Sequence, residues 1–388
     1  MDLYFFTDSR FAKNNELIYN LNGSLGDVLW ARYLEYFDRI IVVARVKQNA
    51  PANNIAPQTK NPRVSFVELP YYVGPFQYLK YRNEVQRLVG ATIKEGCAYI
   101  CRVPSTIGKI AIKRLKKQHI PYAVEIVGDP KDSLSYVATH KIVPAILSIF
   151  AAKSLKRCVA NAGTALYVTN ETLQKRYPVS EGSFSIGVSD VVIDTKMTSQ
   201  DLKLFPQSST INILAIGSLE QMYKSPDIVL KALSLLSKKG VDYRMRWLGD
   251  GKYKKDMEAL AIKLGVAEYV SFLGNVSKAE VNEFLRLSDV YVQASRTEGL
   301  PRALVEAMAV GLPCIGTKVG GIPELLGKDY LINIDDYQQL ANIIIRFKND
   351  INYVNNAKEM NFKKALEFNP VDLKEKRNLF FQAIKKMY

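Results

Sequence analysis

The chain has little of what holds metals or cross-links: four cysteines and two histidines in 388 residues. Cys97 and Cys101 are separated by three residues rather than two, Cys158 and Cys314 stand apart, and His119 and His140 supply no second ligand pair at metal-site spacing. A structural zinc and a disulfide framework are excluded, and reduced, cytosolic thiols are expected. Long apolar runs are also missing. The longest near-apolar stretch, Ile142 to Ala152 between Lys141 and Lys153, falls well short of the roughly 18 residues that span a bilayer. The first thirty residues set Asp2, Asp8, Arg10 and Lys13 around a short apolar run, which fits neither a signal nor a transit peptide. A cytoplasmic protein is expected.

Acidic residues are scarce relative to basic ones. The chain carries 53 Lys and Arg against 38 Asp and Glu, a formal charge of +15, and residues 1–190 alone contribute 25 against 15. Such an excess points to an anionic partner: nucleic acid, a membrane surface or a phosphorylated substrate. No RNA-recognition, zinc or helix-turn-helix signature is present and aromatics do not interleave with the basic helix around Lys109 to Lys117, so nucleic acid is not expected. A 48% apolar composition over this length predicts two ordinary domains.

Short β-type runs alternate with helical patterns. Strands are predicted at Leu3 to Thr7, Ile40 to Ala44, Tyr99 to Val103 and Tyr122 to Val127, with helices around Asp27 to Tyr36, Phe76 to Val89 and Ile107 to Gln118. That order predicts a parallel sheet covered by helices. Pro178 to Ser209 is polar with little periodicity, and the linker is placed within it. The alternation restarts at Ile211 to Ile216 and continues through Tyr243 to Leu248, Val270 to Leu273 and Val290 to Gln293, which predicts a second doubly wound domain. Asp372 to Tyr388 reads as an amphipathic helix.

Ligands of open α/β sheets bind beyond the carboxyl ends of the strands, so the loops after Ile216, Leu248, Leu273 and Gln293 should share one rim. The last of these is the most informative. A strand ending near Ala294 is followed by a helix starting at Pro301, whose fixed φ suits the first helical position, and Gly311 and Pro313 stop it. Free N–H groups of Gly299, Leu300, Arg302 and Ala303 would favour a phosphate. Glu298 before the helix and Glu306 inside it can face the same ligand, and a carboxylate accepts two hydroxyl hydrogen bonds at once, which suits sugar and ribose diols. Taken alone, two glutamates at this spacing also fit a solvated helix face.

Nearly the whole chain resembles the retaining nucleotide-sugar glycosyltransferases of family 4. The resemblance is strongest at Glu298 to Glu306, EGLPRALVE, which is similar to that family's E-x7-E donor motif, and continues at Gly320-Gly321-Ile322-Pro323-Glu324. It implies an α/β GT-B fold: two Rossmann-like domains facing a central cleft, 1–190 for the acceptor and 191–370 for the donor, with 371–388 returning as a helix to the first. It implies that Glu298 contacts the donor sugar at the reacting centre, that Glu306 holds the ribose hydroxyls, and that Gly299, Leu300, Pro301 and Arg302 lie by the sugar and diphosphate. IGSLEQMYKSPDIVLKAL resembles the family's G-R-x…K-G segment, making Gly217 and Ser218 donor contacts and Lys224 the cation that neutralises the diphosphate. The turns at Gly249 and at Asn275 and Val276 resemble its other donor-domain loops. Ser218 stands where the family usually has arginine and Ser225 where it usually has glycine; Arg296 or Arg302 could substitute for the missing cation, with an ordinary solvated arginine as the other reading of each.

In the N-terminal half, Asn22, Gly23 and Ser24 precede a helix and would present amides to the donor phosphate or to an acceptor, with a plain Ser24 cap as the other reading. Glu125 and Asp129 are placed at the rim as acceptor-side catalytic candidates, with ion pairing or capping as the alternative. The implied reaction transfers a hexose from a nucleoside diphosphate, UDP first and GDP-mannose second, to a glycan or lipid-linked glycan of a surface polysaccharide, keeping the anomeric configuration. No metal or other cofactor is expected, because no DxD-like pair accompanies the donor motif. The basic helix and the aromatic run Tyr71 to Tyr81 suggest peripheral attachment to an anionic membrane; a solvated helix face over core aromatics is the alternative. The competing functions are a non-catalytic subunit of the same fold and a sugar-nucleotide epimerase.

Overall fold

The computed structural model describes residues 1–15, 17–21, 25–51, 56–130, 142–193 and 210–388. Asn22, Gly23 and Ser24 lie outside the described residues. The chain forms two compact units. One comprises Met1–Pro130, Phe150–Val188 and Glu375–Tyr388, and the other is built on Ser189–Lys374 together with the described residues of Lys131–Ile149.

The first unit runs β1 (Leu3–Asn14), β2 (Leu17–Asn20), α1 (Asp27–Leu34), β3 (Ile40–Lys47), β4 (Gln58–Thr59), β5 (Val64–Leu69), α2 (Gly74–Ala91), β6 (Ala98–Val103), α3 (Thr106–Lys117), β7 (Ala123–Ile126), α4 (Ile142–Ala160, of which the part from Phe150 belongs to this unit), β8 (Thr164–Tyr167), α5 (Thr172–Arg176) and β9 (Phe184–Gly187). Its parallel strands lie in the order β5-β3-β1-β6-β7-β8-β9, and β2 and β4 extend the far half of β1 antiparallel. Side chains alternate across the sheet. Tyr4 and Phe6 join the core beneath α2, α3 and α4, while Phe5 meets Trp30 and Tyr33 on the other face, ring centroids 5.4 and 5.5 Å away. α3 shows why its sequence makes a helix here: Ile107, Ala111, Ile112 and Leu115 are buried along one stripe and the cations point out. Its N-terminus is closed by the Ser105 hydroxyl, which accepts from the Gly108 N–H, and by the Asp8 carboxylate, which accepts from the N–H groups of Thr106 and Ile107.

The second unit runs β10 (Thr210–Ile216), α6 (Pro226–Lys238), β11 (Asp242–Leu248), α7 (Lys254–Lys263), β12 (Val270–Gly274), α8 (Lys278–Leu287), β13 (Val290–Gln293), α9 (Arg302–Ala309), β14 (Cys314–Thr317), β15 (Leu331–Ile332), α10 (Tyr337–Asn349), α11 (Ile351–Ala365) and α12 (Pro370–Lys385). The sheet is wholly parallel in the order β12-β11-β10-β13-β14-β15, the doubly wound order whose reversal lies between its first and fourth strands. The end of α12 belongs to the first unit. Phe381 packs on Tyr33 and Tyr36 at 5.2 and 4.8 Å, and the Tyr388 hydroxyl donates to the Pro121 carbonyl at 2.6 Å.

Two sequence readings change. The polar segment from Pro178 contains a strand, β9, paired with β8. As a four-residue edge strand it is bonded on one side and largely exposed, so its Phe184-Ser185-Ile186-Gly187 alternation is too short to stand out from the polar segment around it. Pro301 is the N-cap of α9 rather than its first helical residue, with an extended ψ of 115°. All four cysteines are buried and unpaired. Among the described residues no helix is long and apolar enough to cross a membrane, and no cluster of His, Cys, Asp and Glu could hold a metal.

Candidate functional site

The reversal of strand order in the second sheet opens a gap between the loops after β10 and β13, and those loops carry Lys224 and Glu298. Three glycines shape the rim beside it. Gly217 carries no Cβ where one would lie 2.6 Å from Cγ of Lys224, so the lysine chain folds over it. Gly249, at φ 131°, approaches the Gly217 carbonyl so closely that a Cβ would come within 2.2 Å of it, and its N–H donates to Gly274 at 2.7 Å. Gly320, at φ 52°, lies against the backbone of Glu298, whose oxygen would be 2.0 Å from a Cβ there, and the Gly321 N–H donates to the Gly299 carbonyl at 2.7 Å. The loops after β13 and β14 are thereby joined.

Glu298 is held through one oxygen. Its Oε1 accepts from Lys224 Nζ, from Ser295 Oγ at 2.7 Å and from Gln293 Nε2 at 2.9 Å. Oε2 makes no hydrogen bond among the described residues. Behind Oε1 the Gln293 amide is itself oriented, because the Tyr291 hydroxyl donates to its oxygen at 2.7 Å and its nitrogen also reaches Ser295 Oγ at 2.8 Å. Tyr291, Gln293 and Ser295 are all buried. Burial pushes the Tyr291 phenol well up, and the charges of Cys314, Glu298 and Glu306 add to this, so it stays a donor. Neither Tyr291 nor Gln293 was a sequence candidate. The available signal was an amide closing an otherwise apolar buried strand.

Glu306 projects from the second turn of α9, part-buried and without a hydrogen bond among the described residues. Burial pushes its carboxyl up, partly countered by Arg302 and Lys278. α9 starts at Arg302 with no side-chain cap and no acid in its first turn, which leaves its N–H groups for an anion. Gly299 and Leu300 lead into it half-exposed, and Arg302 is exposed. Ser218 is exposed, and its hydroxyl accepts from the Glu220 N–H at 3.2 Å. Asn275 is exposed and Val276 half-buried beyond β12.

Arg296, one of the two candidate substitutes for the cation, is engaged within the unit. Its guanidinium is bidentate on Asp227, at 3.1 and 2.7 Å, and bonds Asp335 at 2.6 Å and the Met222 carbonyl at 2.9 Å. Burial alone would lower its pKa, but Asp227 and Asp335 raise it overall. It ties the loop after β10 to α6 and to the start of α10. Ser225, between Lys224 and α6, sits in the left-handed region at φ 56° with its hydroxyl buried and unpartnered among the described residues, a conformation that glycine adopts at lower cost.

In the first unit, Glu125 and Asp129 are turned inward. Glu125 is 3% exposed and accepts from the Tyr33 hydroxyl at 2.6 Å, with Arg102 3.5 Å away. Asp129 is 2% exposed and is held by Arg176 and the Tyr177 hydroxyl. These partners fix β7 and its following loop to α1, β6 and α5.

The model of the family described as "Glycosyl transferases group 1" matches residues 200–364. The chain is 32% identical to Protein CapJ of Staphylococcus aureus over 347 residues, covering 89% of this chain and 86% of CapJ. It is 28% identical to the amylovoran biosynthesis glycosyltransferase AmsK of Erwinia amylovora over 145 residues, 35% of each chain. Among solved structures, HepE of Anabaena in complex with UDP and glucose superposes with a TM-score of 0.67 at 15% identity, covering 99% of this chain and 100% of HepE. That likeness establishes the GT-B type of fold, two Rossmann-like domains. With a relative matched over most of both chains and the family model spanning the unit that holds Lys224, Glu298 and Glu306, the chain belongs to the group 1 glycosyltransferases.

Proposed function

We propose that the chain is a retaining hexosyltransferase that moves a sugar from a nucleoside diphosphate, UDP before GDP, to a glycan or lipid-linked glycan in surface polysaccharide biosynthesis at the cytoplasmic face of the membrane. The observation that carries this is the meeting of Lys224 and Glu298 over the gap where the strand order reverses. There a diphosphate finds a cation and the uncapped start of α9. AmsK, a glycosyltransferase of amylovoran biosynthesis, and HepE, solved with UDP and glucose, support the polysaccharide and the uridine nucleotide.

In this reading the diphosphate displaces the Lys224 ammonium from Glu298, and the lysine and the α9 N–H groups stabilise the charge that grows as the glycosidic bond to phosphate breaks. Oε2 of Glu298 receives a sugar hydroxyl while Gln293 and Ser295 keep Oε1 in place. Glu306 takes the ribose diol. The acceptor hydroxyl attacks the same face of the anomeric carbon and its proton passes to the leaving phosphate oxygen, so neither a protein base nor a metal is required. Charge on the diphosphate is met by lysine and helix dipole.

The test is release of UDP or GDP from nucleotide sugars with candidate glycan acceptors, with and without chelator, and NMR assignment of the product anomer. An α-linked product from an α-linked donor is expected, at equal rate in chelator. Inversion, or donor binding with no transfer to any acceptor, would remove the reading in favour of an inverting enzyme or a non-catalytic subunit.

A further inference from the structure

The positive charge of residues 1–190 is not spread over the first unit. α2, α3 and α4 lie side by side on one face of its sheet, sharing a core through Val85, Ala111, Leu115, Leu155 and Val159. Their outer sides carry eleven Lys and Arg, three on α2, five on α3 and three on α4, against one acid, Glu84. All eleven are exposed. The rest of residues 1–190 holds fourteen basic and fourteen acidic residues and is neutral. The excess therefore belongs to one surface.

That surface has a centre. An open groove of about 530 Å³ between α2 and α3 is lined by Lys113, Arg114, Lys116 and Lys117 with Gln86 and Ile110, and no carboxylate lines it among the described residues. It also has apolar projections. Phe76 and Leu79 on α2 are 87% and 63% exposed, and Phe150 on α4 is 66% exposed. Phe76, Lys80 and Arg87 follow one helical stripe at i, i+4 and i+11, so cation and apolar side chain share an outlook. A polyanion in water satisfies the cations but gives Leu79 and Phe150 nothing to enter. A bilayer with anionic headgroups offers both phases within a few ångströms.

We infer that the α2–α3–α4 face docks on a membrane surface bearing anionic phospholipids, the groove receiving a headgroup phosphate while Phe76, Leu79 and Phe150 enter the acyl boundary. This does not depend on the donor reading, since no residue of the second unit takes part.

The experiment is co-sedimentation of the full chain with vesicles of phosphatidylcholine alone or mixed with phosphatidylglycerol, at low and high salt. Partition onto the mixed vesicles at low salt, falling as salt rises, is expected. Each cation near such a surface contributes a factor of about five, so Lys113→Glu with Lys116→Glu and Lys117→Glu should lower partition at least on the order of a hundredfold. Phe76→Ser with Leu79→Ser should weaken partition while preserving its salt slope. Unchanged far-UV circular dichroism and an unchanged thermal shift with UDP establish that both variants are folded. Indifference to mixed vesicles at low salt, partition unaltered by the charge reversals, or single-stranded RNA held through the same lysines while vesicles are ignored would each overturn the assignment.

Discussion

Lys224 and Glu298, 74 residues apart in sequence, form an ion pair across the gap where the strand order of the second sheet reverses. Both side chains are mostly buried, at 14% and 9% exposure. Glu298 keeps two neutral donors if the lysine is removed, so Lys224→Ala should fold. Its expected effect is a loss of about 10²- to 10³-fold in kcat/KM for the nucleotide sugar, the size seen when one charge-stabilising donor is deleted. A coupled UDP-release assay measures it, and calorimetry should show weaker UDP but unchanged uridine binding.

Gln293 tests whether the orientation of Glu298 matters beyond its presence. Gln293→Leu removes the amide between Tyr291 and Glu298 and strands a buried hydroxyl, at a stability cost of about 1–3 kcal/mol. The lower kcat should come with little change in KM, because the donor is gripped elsewhere. Gln293→Glu should be worse at neutral pH, since it sets a second carboxylate against Oε1. Equal activity of the Leu variant and the parent would show that Lys224 and Ser295 suffice.

Glu306 should give a pH signature. Its folded carboxyl is raised above the ordinary value of 4.5, first through burial, so the folded state holds its proton more tightly than the unfolded chain does. The resulting stabilisation is full below the ordinary value and is lost as pH rises through the raised one. Glu306→Gln should therefore melt higher than the parent at neutral pH, and the difference should vanish below pH 4.5. Donor affinity should move the opposite way: weaker in the variant at neutral pH, and falling in the parent as pH drops into that window.

Ser225→Gly should stabilise the protein. A left-handed backbone costs a non-glycine residue about 1–2 kcal/mol, and the buried Ser225 hydroxyl has no partner to compensate. A gain of that size raises the melting temperature by a few degrees, about 2–4 °C per kcal/mol for a unit of this length. Differential scanning calorimetry decides it; a fall in melting temperature would mean that the hydroxyl fills space the glycine leaves empty.

Much of the second unit was legible because its signals were local. The strands at Tyr243 to Leu248 and Val290 to Gln293 alternate with amphipathic helices of clear period, and glycine and proline mark where α9 begins and ends. What the sequence hid depended on pairing at a distance. β9 offers only four residues of alternation and declares itself through its pairing with β8. Arg296 reads like any loop arginine until Asp227 and Asp335 close around it. Glu125 and Asp129 end a buried strand, which placed them near the rim, but only the positions of Tyr33, Arg102, Arg176 and Tyr177 reveal that they point inward. Gln293 drew no notice as a strand end, and its meaning comes from Glu298, whose Oε1 accepts from its amide at 2.9 Å.

The contact of Gly320 with Glu298 bears on any attempt to exchange donor preference between relatives. Since one loop's backbone occupies the volume a side chain would need on the other, the two have to be transplanted as a matched pair. A chimera that imports 294–300 while retaining the host's 318–324 would misplace the carboxylate even if every side chain in the grafted loop were correct.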